Sequence, residues 1–246
     1  MKINDDELEI FSRQLILKEF DEKKFNKLQK KTISVIGIGG IGCPIVQYLV
    51  SCGIKNLNIY DDDIIKKNNL NRQTLFGIED IGYKKVIIAR KKLLAINPYL
   101  RINSLDCKID NKNVDRLKRS SIIVDATDNW NTMHLINKYA VENKIPLLSA
   151  SAAGYNIQVI LFENKKNKHL CLQCIFPNKK EIDIARCDTI GILGTTAGLA
   201  GIISAQKIIN FLMNFNDKTN ILTLIDSKTL SLSHIKSNNN SSCKLI

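Results

Sequence analysis

The chain has no run of about 18 apolar residues free of charge, so no membrane-spanning helix is expected. Its most apolar stretch, 191–215, is broken by Gln206, Lys207 and several glycines. The opening MKINDDELEI lacks the basic start and apolar core of a secretory leader, which points to a cytoplasmic protein. Histidine is scarce, with His134, His169 and His234 its three instances. None sits where a dehydrogenase would need a proton-transferring group beside its cofactor. No internal repeat is present. The seven cysteines are odd in number, in a chain that is not small, which argues against a disulfide framework.

What is present is the composition of a globular domain with a sizeable core, 44% hydrophobic and 24% charged over 246 residues. The net charge of +12 suits a nucleic-acid partner in principle. The lysines are spread rather than striped, however, so no nucleic-acid partner is expected. The positive field is better matched to a nucleotide or an acidic protein.

The first half alternates strand and helix. KKTISVIG reads as a buried strand ending at Gly37, followed by a helix over 41–51. NLNIYDDD, LRINSLDCK, SSIIVDATD and IPLLSASAAG read as further strands, with helices over 83–95, 111–118 and 130–142 between them. This pattern predicts an α/β fold, a Rossmann-like and mostly parallel sheet flanked by helices. NIQVILFE reads as an added antiparallel strand, 194–215 as a long helix, and NILTLID with TLSLSHIK as a hairpin.

GIGGIG, Gly37 to Gly42, lies between a buried strand and a helix, the context in which glycines let backbone approach phosphate. Asp61, at the end of the next strand, suits ribose hydroxyls. Alone, these features fit an NAD-dependent enzyme equally well. Beyond Asp61 come Asn69, Asn71, Arg72 and Gln73, then Lys85 at a helix start and Asp128-Asn129 after a strand. Cations and a carboxylate converging on phosphate favour phosphoryl or nucleotidyl transfer. Each has a plainer reading: Arg72 as a surface ion pair, Lys85 as one lysine among many, Asp128 as a helix cap. Cys43, Cys52 and Cys107 read as packing residues. Cys171 and Cys174, in CLQC, have the spacing of half a zinc site.

SRQLIL, GIGGIG, YDDDIIKKNNLNRQ, the segment 82–85, DATDN, CLQC and RCDTIGILG come in an order that resembles the ThiF/MoeB/HesA family of ubiquitin-activating-enzyme-like adenylyltransferases. The likeness covers nearly the whole chain. It implies a single adenylation domain over 1–246, with N-terminal helices over 1–30, a nucleotide-binding half over 31–150 and a carrier-binding half over 151–246. It implies a homodimer that uses ATP and Mg²⁺ to adenylate a small ubiquitin-like sulfur carrier. Gly37, Gly39, Gly40 and Gly42 then face phosphate and Asp61 the ribose. Asn69, Arg72 and Lys85 surround the triphosphate, Asn68, Leu70, Asn71 and Asn129 complete the nucleotide site, and Asp128 lies near the metal. Arg13 reaches the neighbouring subunit's site.

The resemblance also makes Cys187 the crossover-loop cysteine, able to join covalently to the carrier; its plainer reading is an inert loop thiol. It extends the cysteine motif to a structural Zn²⁺ site of Cys171, Cys174 and Cys243. The fourth position holds Ile246, which leaves His169, His234, the Ile246 carboxylate, water or no metal at all. SASAAGYNIQ and the aspartates 61–63 favour the thiamine-pathway carrier over the molybdopterin one. No rhodanese-like segment follows, so a separate sulfur donor is expected.

Overall fold

The computed structural model describes residues 4–164, 170–177, 190–215, 219–236, 243 and 245. Eight strands form one sheet in the order β3-β2-β1-β4-β5-β6-β7-β8. β1 (Thr32–Ile36), β2 (Asn56–Tyr60), β3 (Arg101–Leu105), β4 (Ile122–Asp125) and β5 (Leu147–Ala153) run parallel. β6 (Asn156–Phe162), β7 (Ile221–Asp226) and β8 (Ser231–Lys236) continue the sheet antiparallel. The parallel order 3-2-1-4-5 reverses direction between β1 and β4, and ligands of such sheets bind outside the strand ends at that point.

The helices follow from the pattern of apolar residues and from their caps. In α1 (Asp5–Leu15) and α2 (Glu22–Gln29), Asn4 and Asp21 accept from backbone N–H groups three residues on. α3 (Gly42–Ser51) and α4 (Lys85–Ile96) cover one face of the parallel half, and α5 (Trp130–Glu142) covers the other. α6 is the short turn Leu172–Ile175, and α7 is the long helix Gly194–Met213. The segment expected to be helical over 111–118 is a 3₁₀ turn over Val114–Leu117.

Two apolar clusters sandwich the sheet. β4 is buried at every position, as a central parallel strand covered on both faces should be. β8, at the edge, is exposed at every position. By length and composition α7 could cross a membrane, but 56% of its most apolar window is buried. It packs on α3, β5 and β6 as a core helix does.

Candidate active site

The glycine turn forms because β1 and β4 end side by side with almost no room between them. Gly37 has φ +90°, and a Cβ there would lie 2.7 Å from the Ala126 carbonyl oxygen. Only glycine meets both demands. Gly42 sits inside the turn against the Gly37 carbonyl, where a Cβ would have 2.0 Å. Over Gly40 lie the Arg72 Cγ and the Ala197 methyl, 3.3 and 3.1 Å from where a Cβ would stand. The nucleotide loop, the segment bearing Arg72 and the first turns of α7 thus meet at one residue.

These strand ends open into a cavity of about 950 Å³. Of the residues assigned to the nucleotide, Gly37, Gly39, Gly40, Asp61, Asn68, Asn69, Arg72, Lys85, Asp128 and Asn129 line it. Gly42, Leu70 and Asn71 do not. Leu70 packs on the core, and the exposed Asn71 supports Arg72 from outside. Arg13 is exposed on α1 and is not part of its own chain's cavity. Cys187, His169 and Ile246 lie outside the described residues.

Asp61 is held by the backbone. The Ile38 N–H donates to its Oδ2 at 2.6 Å and the Asp63 N–H to its Oδ1 at 2.9 Å. Burial pushes its carboxyl above the usual range, opposed by the Lys85 charge and those N–H groups. Lys85 is buried at the start of α4 and donates to Asp63 Oδ2 at 2.8 Å, with Asp61 Oδ1 at 3.9 Å. Partial burial raises Asp63, but the Lys85 hydrogen bond and charge outweigh it and hold the carboxyl below its ordinary value. Arriving phosphate would compete with Asp63 for this lysine.

Arg72 Nη1 donates to the Asn68 carbonyl at 2.9 Å and to Asn71 Oδ1 at 3.2 Å. No described carboxylate pairs with it, so the surface ion-pair reading is not what the structure shows. Most of its five N–H donors remain for a ligand. Asn69 Oδ1 accepts the Lys66 N–H at 3.1 Å and shapes the same segment. The capping role open to Asp128 is filled by Asn129, which accepts from the Thr132 N–H at 2.9 Å. Asp128 stays exposed at the cavity wall. Beneath it, Asp125 accepts both the N–H (3.1 Å) and the hydroxyl (2.8 Å) of Thr127. Burial pushes Asp125 up to about 6, against the pull of those hydrogen bonds.

Cys171, Cys174 and Cys243 gather behind the cavity, their sulfurs within 4.8 Å of one another. The Cys171 sulfur is 3.8 Å from that of Cys174 and 3.7 Å from that of Cys243. A tetrahedral centre with metal–sulfur bonds of about 2.3 Å has edges of about 3.8 Å. The thiols therefore fit Zn²⁺ as three of its ligands. His234 is elsewhere, beside the Thr223 hydroxyl at 3.3 Å on the β7–β8 hairpin.

The ThiF family model matches residues 11–245. The chain belongs to the ThiF family. The sulfur carrier protein ThiS adenylyltransferase of Escherichia coli (strain K12) is 30% identical over 228 residues, covering 92% of this chain and 90% of that protein. The molybdopterin-synthase adenylyltransferase of Salmonella typhimurium (strain LT2) is 28% identical over 248 residues, 99% of this chain and 98% of that one. The adenylyltransferase and sulfurtransferase MOCS3 of Drosophila virilis is 32% identical over 217 residues, 87% of this chain. This ThiF-family chain spans about half the length of that relative, 48%. Among solved structures, E. coli MccB with MccA-N7isoASN matches with a TM-score of 0.82 at 20% identity, over 97% of this chain and 74% of that one, a likeness of fold.

Sequence reasoning missed several cavity residues. Lys108 and Thr127 follow β3 and β4, so the rule that ligands gather beyond strand ends could have found them. Trp130 and Met133 come from the first turn of α5 and carried no motif signal. Asp125 read only as the end of a buried strand.

Proposed function

We propose that this ThiF-family chain uses ATP to adenylate the C-terminal carboxylate of a small ubiquitin-like sulfur carrier, releasing pyrophosphate on the way to the carrier thiocarboxylate. One observation carries the reading: Arg72 folded over Gly40, with Lys85 close by, at the switch point of the sheet. A cavity built for hydride transfer has no need of that cation pair.

The reaction joins a carboxylate oxygen to the α-phosphorus of ATP and breaks the bond to pyrophosphate. The carboxylate is ionised at neutral pH and requires no general base. The barrier lies in bringing an anion to a polyanion and in the charge that grows on the leaving group. Arg72 and Lys85 place positive charge there in advance. Asp61 fixes the ribose, and the cavity wall of Ser149, Ser151, Tyr155 and Gln158 gives an extended carrier tail a bed. Asp128, free of any capping role, would hold Mg²⁺, which when bound neutralises phosphate charge. Arg13 lies outside its own chain's cavity, which supports a homodimer in which it serves the partner's site. Cys187 is the proposed point of covalent attachment of the carrier, and a persulfide-bearing desulfurase the proposed sulfur donor.

Between carriers, SASAAGYNIQ along β5 and β6 supports the thiamine-pathway protein. The molybdopterin-pathway carrier is the second reading, since relatives named for either pathway are nearly equally similar. Incubation of the chain with ATP, Mg²⁺ and each purified carrier, read by mass, tests both. An adenylyl group on the thiamine-pathway carrier is the expected product. Adenylylation of the molybdopterin-pathway carrier alone would reverse the assignment, and modification of neither would remove the activity.

A further inference from the structure

Behind the nucleotide cavity, α5 carries a residue that the adenylation chemistry does not use. Asn137 is fully buried, two turns beyond the cap residue Asn129. Its Oδ1 accepts the Leu172 N–H at 3.0 Å, which pins the start of α6 directly after Cys171. Among the described residues its Nδ2 has no hydrogen-bond acceptor. Buried amide donors are seldom left so. The Asn137 side chain lies within interaction distance of the Cys171 sulfur.

A neutral thiol is a weak acceptor, and a thiolate on a metal ion is a much stronger one. The unused donor therefore matches the cluster in its metal-bound form. Partners of this kind orient ligands and tune the hold on the ion. We propose that Asn137 is a positioning residue of a metal–thiolate centre formed by Cys171, Cys174 and Cys243: Nδ2–H donates to the Cys171 sulfur while Oδ1 holds the backbone at Leu172. The two halves of one amide thus serve the ligand and the loop that presents it. The inference goes beyond adenylation and does not depend on which carrier is used.

The full chain, loaded with Zn²⁺ or Co²⁺ in reducing buffer, tests it without an activity assay. Asn137→Asp keeps the acceptor for Leu172 and loses the donor; Lys138→Ala, on the exposed side of α5, is the control. Asn137→Asp should release Zn²⁺ to a chelator about 10–100-fold faster. It should also move the thiolate-to-cobalt charge-transfer band to lower energy, with far-ultraviolet circular dichroism unchanged. Release rate and band equal to those of the unaltered chain would overturn the proposal, as would an unaltered chain that takes up no metal. In unaltered protein loaded with NMR-active cadmium, the Asn137 side-chain amide protons should show scalar coupling to the metal through the sulfur. Absence of that coupling contradicts the proposal even if Asn137→Asp fails to fold.

Discussion

The two halves of the sheet solve different problems. The parallel half, β3 to β5, brings three chain segments to Gly40 and fixes them by contacts that leave no spare volume. Its inner carboxylates, Asp61 and Asp125, are held by backbone N–H donors. The antiparallel half ends in a strand exposed at every position, and its buried polar centre is a trio of thiols. One half has its contacts made without a ligand. The other holds a cluster of thiols that a metal ion would complete. Electrostatic catalysis needs the first kind of construction, because charges must be in place before the reaction.

The largest expected effect in the comparison is at the rigid end. Arg72→Ala should lower carrier-dependent adenylation by about 100–1000-fold with the fold intact, the usual scale for losing a group that stabilises transition-state charge. Gly40→Val comes next. Its side chain must displace the Arg72 stem and the Ala197 methyl, so ATP affinity should fall about tenfold or more by equilibrium titration while Zn²⁺ content is unchanged.

At the other end, Cys171→Ser should reduce bound zinc from roughly one per chain to a trace by metal analysis, and lower Tm by several degrees. Equal zinc content in that variant would break the contrast between the halves.

Much of this division was legible in the sequence, for reasons that differ by residue. Strands such as Ile122–Asp125 are short apolar runs bounded by turn residues, and helices such as Trp130–Glu142 show clean periodicity, so both were recognised. GIGGIG declared its position because a glycine turn has few alternative uses. Spacing placed Cys171 and Cys174 together. The pairing of Lys85 with Asp63 was not legible, since it depends on the register between β2 and α4. Nor was the approach of Arg72 to Gly40, or the unused donor on Asn137. Both depend on how segments distant in the chain pack together, and local pattern does not encode that.

Asp125 gives a smaller effect of defined sign. Its folded pKa of about 6 lies above the ordinary 3.8. The fold therefore favours the protonated form, and this contribution to stability is fully present below pH 3.8 and lost as pH rises through about 6. The scale is about 3 kcal/mol. Asp125→Asn keeps an acceptor for Thr127 and should flatten the dependence of denaturant midpoint on pH across that window. The smallest effect is expected on the exposed edge, where Leu232→Lys should leave stability within about 0.5 kcal/mol by chemical denaturation.

Carrier-dependent exchange of labelled pyrophosphate into ATP reads the cavity's chemistry most directly, because it requires the adenylate to form and revert. Label should enter ATP only when chain, Mg²⁺ and carrier are together, and Arg72→Ala should cut the signal by about 100–1000-fold. Exchange that is independent of carrier, or undiminished in Arg72→Ala, would contradict the account.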